Sequence, residues 1–356
     1  MGKGVINMGN YIQIGNRKIG PDYEPLIIAE IATNHYGDLA VAKDIVDVAR
    51  SAGIEVIKHQ THIPEKELSP LAKEIMIESV NSNLYDWTIK CSLDEDDEKA
   101  LQAYVESKGM IFISAPFSFE AVDRLERMDI AAYRISSTQM NNYPLVEYIA
   151  SKKRPILLST GMNDIPNIKK AVDIIKKYHN EFALMHCTNI YPTPADKVRL
   201  HAIDELKEAF PGVVLGLSDH TLNNNSAYAA MTLGVSIIEK HFTDSKRRID
   251  QDTEWAMTKS EAIELISFSR EIDDMKKGEK NNILEEEKDV MDMYFNTIVT
   301  TRKIRKGSII TREKITTKGP NKIGIKAEDM HKILWKKANK DIEENSHIEW
   351  EDIDMD

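Results

Sequence analysis

The sequence predicts an α/β protein built as a (β/α)8 barrel, a TIM barrel, followed by a small β-rich module. Three observations carry this reading. Eight short runs rich in Ile, Val and Leu fall between Pro25 and His241, helical periodicity separates most of them, and the composition changes from Thr297 onward. Parallel strands need a long crossover between them, and an amphipathic helix is the usual one. Eight such units close a barrel, with an open doubly wound sheet as the alternative.

Taken in order, residues 11–20 have a hairpin pattern and are expected to plug the bottom of the barrel as a short ribbon. Barrel strands are expected at 26–30, 56–60, 110–114, 132–136, 155–159, 182–188, 213–217 and 235–241. Between them, 39–52, 93–108, 119–128, 143–151, 165–177 and 224–233 carry charged and apolar residues at helical spacing, and 259–276 reads as the closing helix. The acidic stretch 281–293 is open between a second helix and a linker. Beyond it, short alternating runs at 297–301 and 308–310 are punctuated by Lys306-Gly307 and Gly319-Pro320, with one short helix expected at 327–334. The expected division is a barrel with its hairpin over 1–280, a linker over 281–296 and the module over 297–356.

Composition bounds the function. A chain of 356 residues is long for one core, and 42% hydrophobic with 29% charged residues is ordinary for a soluble globular enzyme. The net charge of −11 argues against nucleic acid or anionic membrane as a partner, so an anionic substrate must be held by local cations. Cys91 and Cys187 lie far apart and suggest neither a disulfide framework nor a thiolate zinc site; both read as structural, and a reducing cytoplasm is the expected home. Residues 1–10 lack the apolar core of a secretory signal, and no apolar run has the length of a membrane span.

Barrel enzymes place their chemistry at the C-terminal ends of the strands, and here those ends are unusually polar. The first expected strand ends in Glu30, with Asn34-His35 after it. The second carries Lys58 and Gln60, the fourth Arg134 and Ser137, and the fifth Ser159-Thr160. The sixth brings His186, Asn189 and Tyr191, the seventh Ser218, Asp219 and His220, and the eighth Glu239, Lys240 and His241. One such group alone reads equally well as half of a buried ion pair, but burying this many unpaired charges would cost several kcal/mol each, about that for every one. His220 and His241 end consecutive strands and suit a two-His site for one ion, with positions left for water and substrate oxygens, as Mn²⁺ or Mg²⁺ prefers. Lys58 and Arg134, helped by hydroxyls of Ser137 and Ser159, would hold a phosphate-bearing substrate.

The runs IIAEIATNHYGDLAVAKDIVDVARSAG, IKHQTH, PFSFEAVDRLE, NNYPLVEYIA, LSTGM, LMHCTNIYPTP, GLSDHT and EKHFTD resemble the sialic acid synthase family in order and spacing over nearly the whole barrel. The tail, with IRKG and DIEENSHIEWEDI, resembles that family's antifreeze-like (SAF) module. The resemblance implies a domain-swapped homodimer in which the module of one subunit covers the barrel mouth of the other. It also implies the reaction: phosphoenolpyruvate attacks the aldehyde of an open-chain N-acylated mannosamine-like sugar through C3, water adds at C2, and phosphate leaves. By the same resemblance His220 and His241 match the metal ligands, and Glu30 and Glu239 the acidic groups at the reacting centre. Lys58, Ser137, Ser159, Asn189 and Ser218 match the phosphoenolpyruvate pocket, and Gln60 and Tyr191 face the substrates.

The departures from the family pattern cluster on the sugar side. Arg134 stands where a Lys is usual, Ser136-Ser137-Thr138-Gln139 replaces Gly-Ser-Gly-Glu so that Gln139 substitutes an acidic sugar contact, and Ala115 replaces a hydroxyl residue. Asp250-Gln251-Asp252 replaces Gly-Pro-Asp with Asp252 kept, and Lys318-Gly319-Pro320-Asn321 replaces Lys-Arg-Pro-Gly, losing the arginine that reaches the N-acyl group. A shifted sugar specificity is expected. Two other readings stay open: a catalytically inactive sugar-binding or scaffold homologue, and a lyase working through a Schiff base on Lys58 or Lys240.

Overall fold

The computed structural model describes residues 11–248 and 252–354. What the sequence suggested for residues 1–10 and for Asp250 and Gln251 lies outside the described residues. The chain divides into two compact units, one ending at Lys276 and one starting at Lys277.

In the first unit, eight parallel strands pair in chain order and close on themselves: Leu26–Glu30, Val56–Thr61, Ile111–Pro116, Tyr133–Ile135, Ile156–Ser159, Phe182–Cys187, Val214–Asp219 and Ile237–His241. Closure excludes the open sheet. Alternate residues of a strand face opposite sides, which explains the near-continuous apolar runs. One face packs against the helices, while Ile28, Val56, Ile113, Leu157, Met185 and Ile237 fill the lumen. The antiparallel ribbon of Ile12–Ile14 and Arg17–Ile19 adds Ile12, Ile14 and Ile19 to that lumen cluster.

Local signals set the helices. Leu39–Ala52 starts where the Asp38 carboxylate accepts from the N–H groups of Ala40 and Val41, and it stops at Gly53, whose φ of 93° favours a residue without a side chain. Ser118, Asn142 and Asp164 cap Phe119–Arg127, Tyr143–Ser151 and Ile165–Lys176 in the same way. Lys259–Met275 closes the barrel behind a capping box of Thr258 and Glu261. The helix His201–Ala209 was not anticipated from the sequence; no side-chain cap marks its start, and within it only Ile203 and Leu206 are buried. The loop after the second strand also holds more structure than expected, including the helices Pro64–Glu67 and Leu84–Cys91. The fourth strand is shorter than expected, because the chain turns at Ser136, whose carbonyl accepts from Gln139 N–H.

The second unit contains the helix Lys288–Tyr294, which starts inside the acidic stretch and ends just past it. Its antiparallel pairs, Thr297–Thr300 with Ile315–Lys318 and Lys337–Ala338 with Ile353–Asp354, surround a core made almost wholly of isoleucine, among them Ile298, Ile310, Ile325 and Ile348. No helix of the described residues is long and apolar enough to cross a membrane.

Candidate active site

Register decides which polar ends meet. Glu30 pairs level with Lys58 on one side and with His241 on the other, and Ser218 is level with both Glu239 and Cys187. A cleft at this end of the barrel is lined by Glu30, Lys58, Gln60, Arg134, Ser137, Ser159, Asn189, Tyr191, Ser218, His220, Glu239 and His241, with Ser136 and Cys187 beside them. Cys187, read from the sequence as structural, therefore belongs to the cleft wall, its Sγ 3.9 Å from His220 Nδ1 and 3.5 Å from Asn189 Oδ1. Gln139 stands outside this lining, its side-chain carbonyl accepting from Asn142 at 3.1 Å. The cleft encloses only ≈ 50 Å³, while a neighbouring cavity of ≈ 590 Å³ lies behind Thr160, His186 and Arg199. Size alone would favour the larger cavity. We place the site at the smaller one because the buried charges converge there.

Two ion pairs organise the floor. Lys58 pairs with Glu30, which also accepts the Ala32 N–H at 2.7 Å. Arg134 grips Glu239 with a two-pronged contact, Nε to Oε2 at 3.1 Å and Nη2 to Oε1 at 2.8 Å, and donates to Ser218 Oγ at 3.1 Å and to the Ile135 carbonyl at 2.8 Å. Four of its five N–H donors thus meet acceptors of the protein itself, and the side chain still lines the cleft. Desolvation pushes Lys58 down to about 7, the Glu239 charge holding it up and the Arg134 charge pressing it further down. Desolvation would raise the Glu239 carboxyl, but Arg134 and then Lys58 prevail and hold it at about 2.

The polar groups expected on the phosphate side gather around Gly161. Ser137 Oγ donates to Ser159 Oγ at 2.8 Å, and Asn189 Nδ2 donates to Tyr191 OH at 3.1 Å. A Cβ at Gly161 would come within 2.0 Å of Asn189 Oδ1 and 2.7 Å of Ser137 Oγ, so only glycine lets these groups close in.

The two histidines lie side by side with ring centroids 5.4 Å apart and planes inclined at 52°, and Tyr191 covers His220 at 4.3 Å. His220 Nδ1 lies 3.0 Å from the Thr188 carbonyl. A carbonyl can only accept, so Nδ1 carries a proton and Nε2 is the nitrogen left to meet a ligand. His241 Nδ1 is buried without a hydrogen bond, although Asp252 Oδ2 is 3.3 Å away; Asp252 also accepts from Thr33 at 3.4 Å. Two imidazoles this close fit a divalent ion. Among the described residues no group of three His, Cys, Asp or Glu forms a closed protein-only set, so such an ion would keep open positions.

The remaining strand-end groups are structural. His186 turns its Nε2 to the Val198 carbonyl at 2.7 Å. Lys240 is spent on Asp219 and on the carbonyls of Thr221 and Asn223, and Asn34 donates to the Phe242 carbonyl.

Residues 45–281 match the NeuB family. The chain belongs to the NeuB family. Residues 295–354 match the SAF domain. Among relatives of this NeuB-family chain, an uncharacterized protein of Methanocaldococcus jannaschii is 33% identical over 96% of this chain and 98% of its own length. The N,N'-diacetyllegionaminic acid synthase of Campylobacter jejuni is 32% identical over 91% of this chain and 98% of its own. The crystal structure of N-acetylneuraminic acid (sialic acid) synthetase from Leptospira borgpetersenii superposes with a TM-score of 0.72 at 27% identity, covering 79% of this chain and 95% of that one. The NeuB-family chain is accordingly an enzyme of the sugar-acid synthase class, which uses phosphoenolpyruvate to form a carbon–carbon bond.

Proposed function

We propose that the chain condenses phosphoenolpyruvate with an open-chain aldose of the N-acylated mannosamine-like class or a close relative of it. C3 of the enol bonds to the aldehyde carbon, water adds at C2, and the C2–O bond breaks to release phosphate, leaving a nonulosonic acid. The observation that carries this reading is the level row of Lys58, Glu30 and His241 on adjacent strands, with His220 beside it. Lys58 and the Ser137, Ser159 and Asn189 cluster bind the enol phosphate, with Ser218 held beside them by Arg134. Glu30 holds the proton of the attacking water or of the new hydroxyl. Arg134 and Glu239 form the fixed floor beneath them. When bound at His220 and His241, Mn²⁺ or Mg²⁺ supplies Lewis-acid polarisation of the acceptor carbonyl.

The acceptor side supports a sugar other than N-acetylmannosamine. Two departures in the sequence carry this: Gly319 stands where the family pattern has an arginine, and Gln139 stands where it has a glutamate, its amide engaged with Asn142. A legionaminic or pseudaminic acid precursor, or an unacylated aldose, suits these changes. Exposed Met162, Ile190, Tyr191 and Leu222 on loops around the mouth support a second copy of the chain covering the rim. A Schiff-base lyase is disfavoured because Lys240 is enclosed by three oxygens and Lys58 is paired with Glu30.

The test is phosphate release from phosphoenolpyruvate with Mn²⁺ or Mg²⁺ across a panel of N-acylated and plain aldoses, with the product weighed by mass spectrometry. Aldose-dependent release of a chain-extended acid is expected. N-acetylmannosamine as the clearly best acceptor defeats the shifted specificity, and metal binding without turnover of any sugar favours the inactive homologue.

A further inference from the structure

The second barrel strand continues past Lys58 into a chain of contacts that neither the strand-end pattern nor the family resemblance assigned. His62 Nε2 lies 3.0 Å from Gln60 Oε1, and its Nδ1 lies 2.8 Å from Glu67 Oε1. Gln60 in turn aims its Nε2 at Glu30 Oε1, 3.5 Å away. The imidazole is stacked on Phe117 with centroids 4.2 Å apart and planes 20° from parallel. A ring held at both nitrogens and on one face has little freedom left. The side chains of His62 and Glu67 are 14% and 5% exposed, and Glu67 Oε2 is buried without a hydrogen bond, so the pair is largely closed off from water.

The chemistry of the amide gives this chain a direction. Gln60 Oε1 can only accept, so the facing nitrogen of His62 must donate. With that donor in place, the amide cannot turn its oxygen toward Glu30, and its N–H group is left pointing at the carboxylate. Without it, the two ends of the amide could exchange, and an amide oxygen would then face a carboxylate oxygen. Glu67, at the C-terminal end of the helix Pro64–Glu67, fixes the ring from behind.

The geometry points to His62 as a positioning residue: backed by Glu67, it sets the Gln60 amide and thereby the direction in which Glu30 presents its carboxylate to the substrates. This rests on the reaction proposed above, in which Glu30 handles protons at the reacting centre. His62 touches no reacting atom. Its effect is on the rate from the bound state, with binding of phosphoenolpyruvate left to Lys58 and the serine cluster.

Two measurements on the full chain test it. In protein labelled with [¹⁵N]histidine, two-bond ¹H–¹⁵N correlation reads which ring nitrogens carry protons, and the His62 signals are assigned by their loss in His62→Phe. A protonated Nε2 is expected; an unprotonated Nε2 overturns the proposal. That result stands whether or not any aldose is turned over, so failure of the functional reading is seen separately, as a wild-type chain that releases no phosphate. In phosphate-release kinetics with the best acceptor of the panel, His62→Phe keeps a ring on Phe117 and removes the donor. Its kcat should fall by about ten-fold or more, with KM for phosphoenolpyruvate within about two-fold. His62→Gln, whose amide N–H can reach Gln60, should recover part of the loss, and Glu67→Gln should lower kcat in the same direction should the Phe variant not fold. Wild-type kcat in both His62→Phe and Glu67→Gln, or a loss confined to KM, overturns it.

Discussion

Replacing Arg134 by methionine tests the pairing at the floor of the site. Arg134 and Glu239 are each 4% exposed, and the change removes two hydrogen bonds to the carboxylate, one to Ser218 and one to the Ile135 carbonyl. Removing one partner of a buried pair costs about 3–5 kcal/mol, because the other charge is left desolvated. Lys58 remains near Glu239 and offsets part of its charge, so the lower end, about 3 kcal/mol, is expected. Arg134→Lys keeps the charge and loses the fork, for about 1–2 kcal/mol. The pH dependence follows from linkage. Glu239 is held at about 2, below its ordinary 4.5, so its contribution is fully present above about 4.5 and is lost as pH falls toward 2. The gap between wild type and Arg134→Met should therefore be full at neutral pH and narrow on acidification. Narrowing begins at a higher pH in the variant, where desolvation is less opposed and the carboxyl takes up its proton sooner. Denaturant unfolding followed by far-ultraviolet circular dichroism at neutral and acidic pH measures this. A neutral-pH loss under about 1 kcal/mol, or a gap that widens with acid, would show that the pair is not the anchor described.

Gly161→Ala should leave the fold intact yet weaken phosphoenolpyruvate binding by about a hundred-fold in calorimetry, since its methyl group displaces Asn189 and Ser137; unchanged affinity would mean that these groups do not hold the ligand. Buried Glu98, bonded to Thr61 and Arg124, is pushed up to about 7 by desolvation. With a folded value above the unfolded 4.5, its protonated form stabilises below about 4.5, and that stabilisation is lost as pH rises to about 7. Melting temperatures should thus show Glu98→Gln gaining on wild type from pH 5 to pH 8, and a constant difference would contradict the assignment.

The strand-end chemistry was legible because a barrel strand with both faces buried reads as an apolar run, and a charged residue closing such a run stands out against it. Glu30, Lys58, Glu239, His220 and His241 carry that signal in one dimension. The helix His201–Ala209 lacks a capping side chain to announce it, and Cys187 looks like any small buried residue until register sets it beside Ser218. His62 and Glu67 lie past the end of their apolar run, where no periodicity marks them.

By itself the sequence determined the eight-fold alternation, the change to a small β-rich module and the kinds of group available for chemistry, since these depend on local periodicity and residue type. Tertiary structure alone decided what each group touches. Arg134 and Glu239 are 105 residues apart and meet only across the closed lumen. The same closure gives Arg134 a carboxylate partner that its place in the sequence does not reveal, because a buried guanidinium takes the nearest charge that lets it leave water.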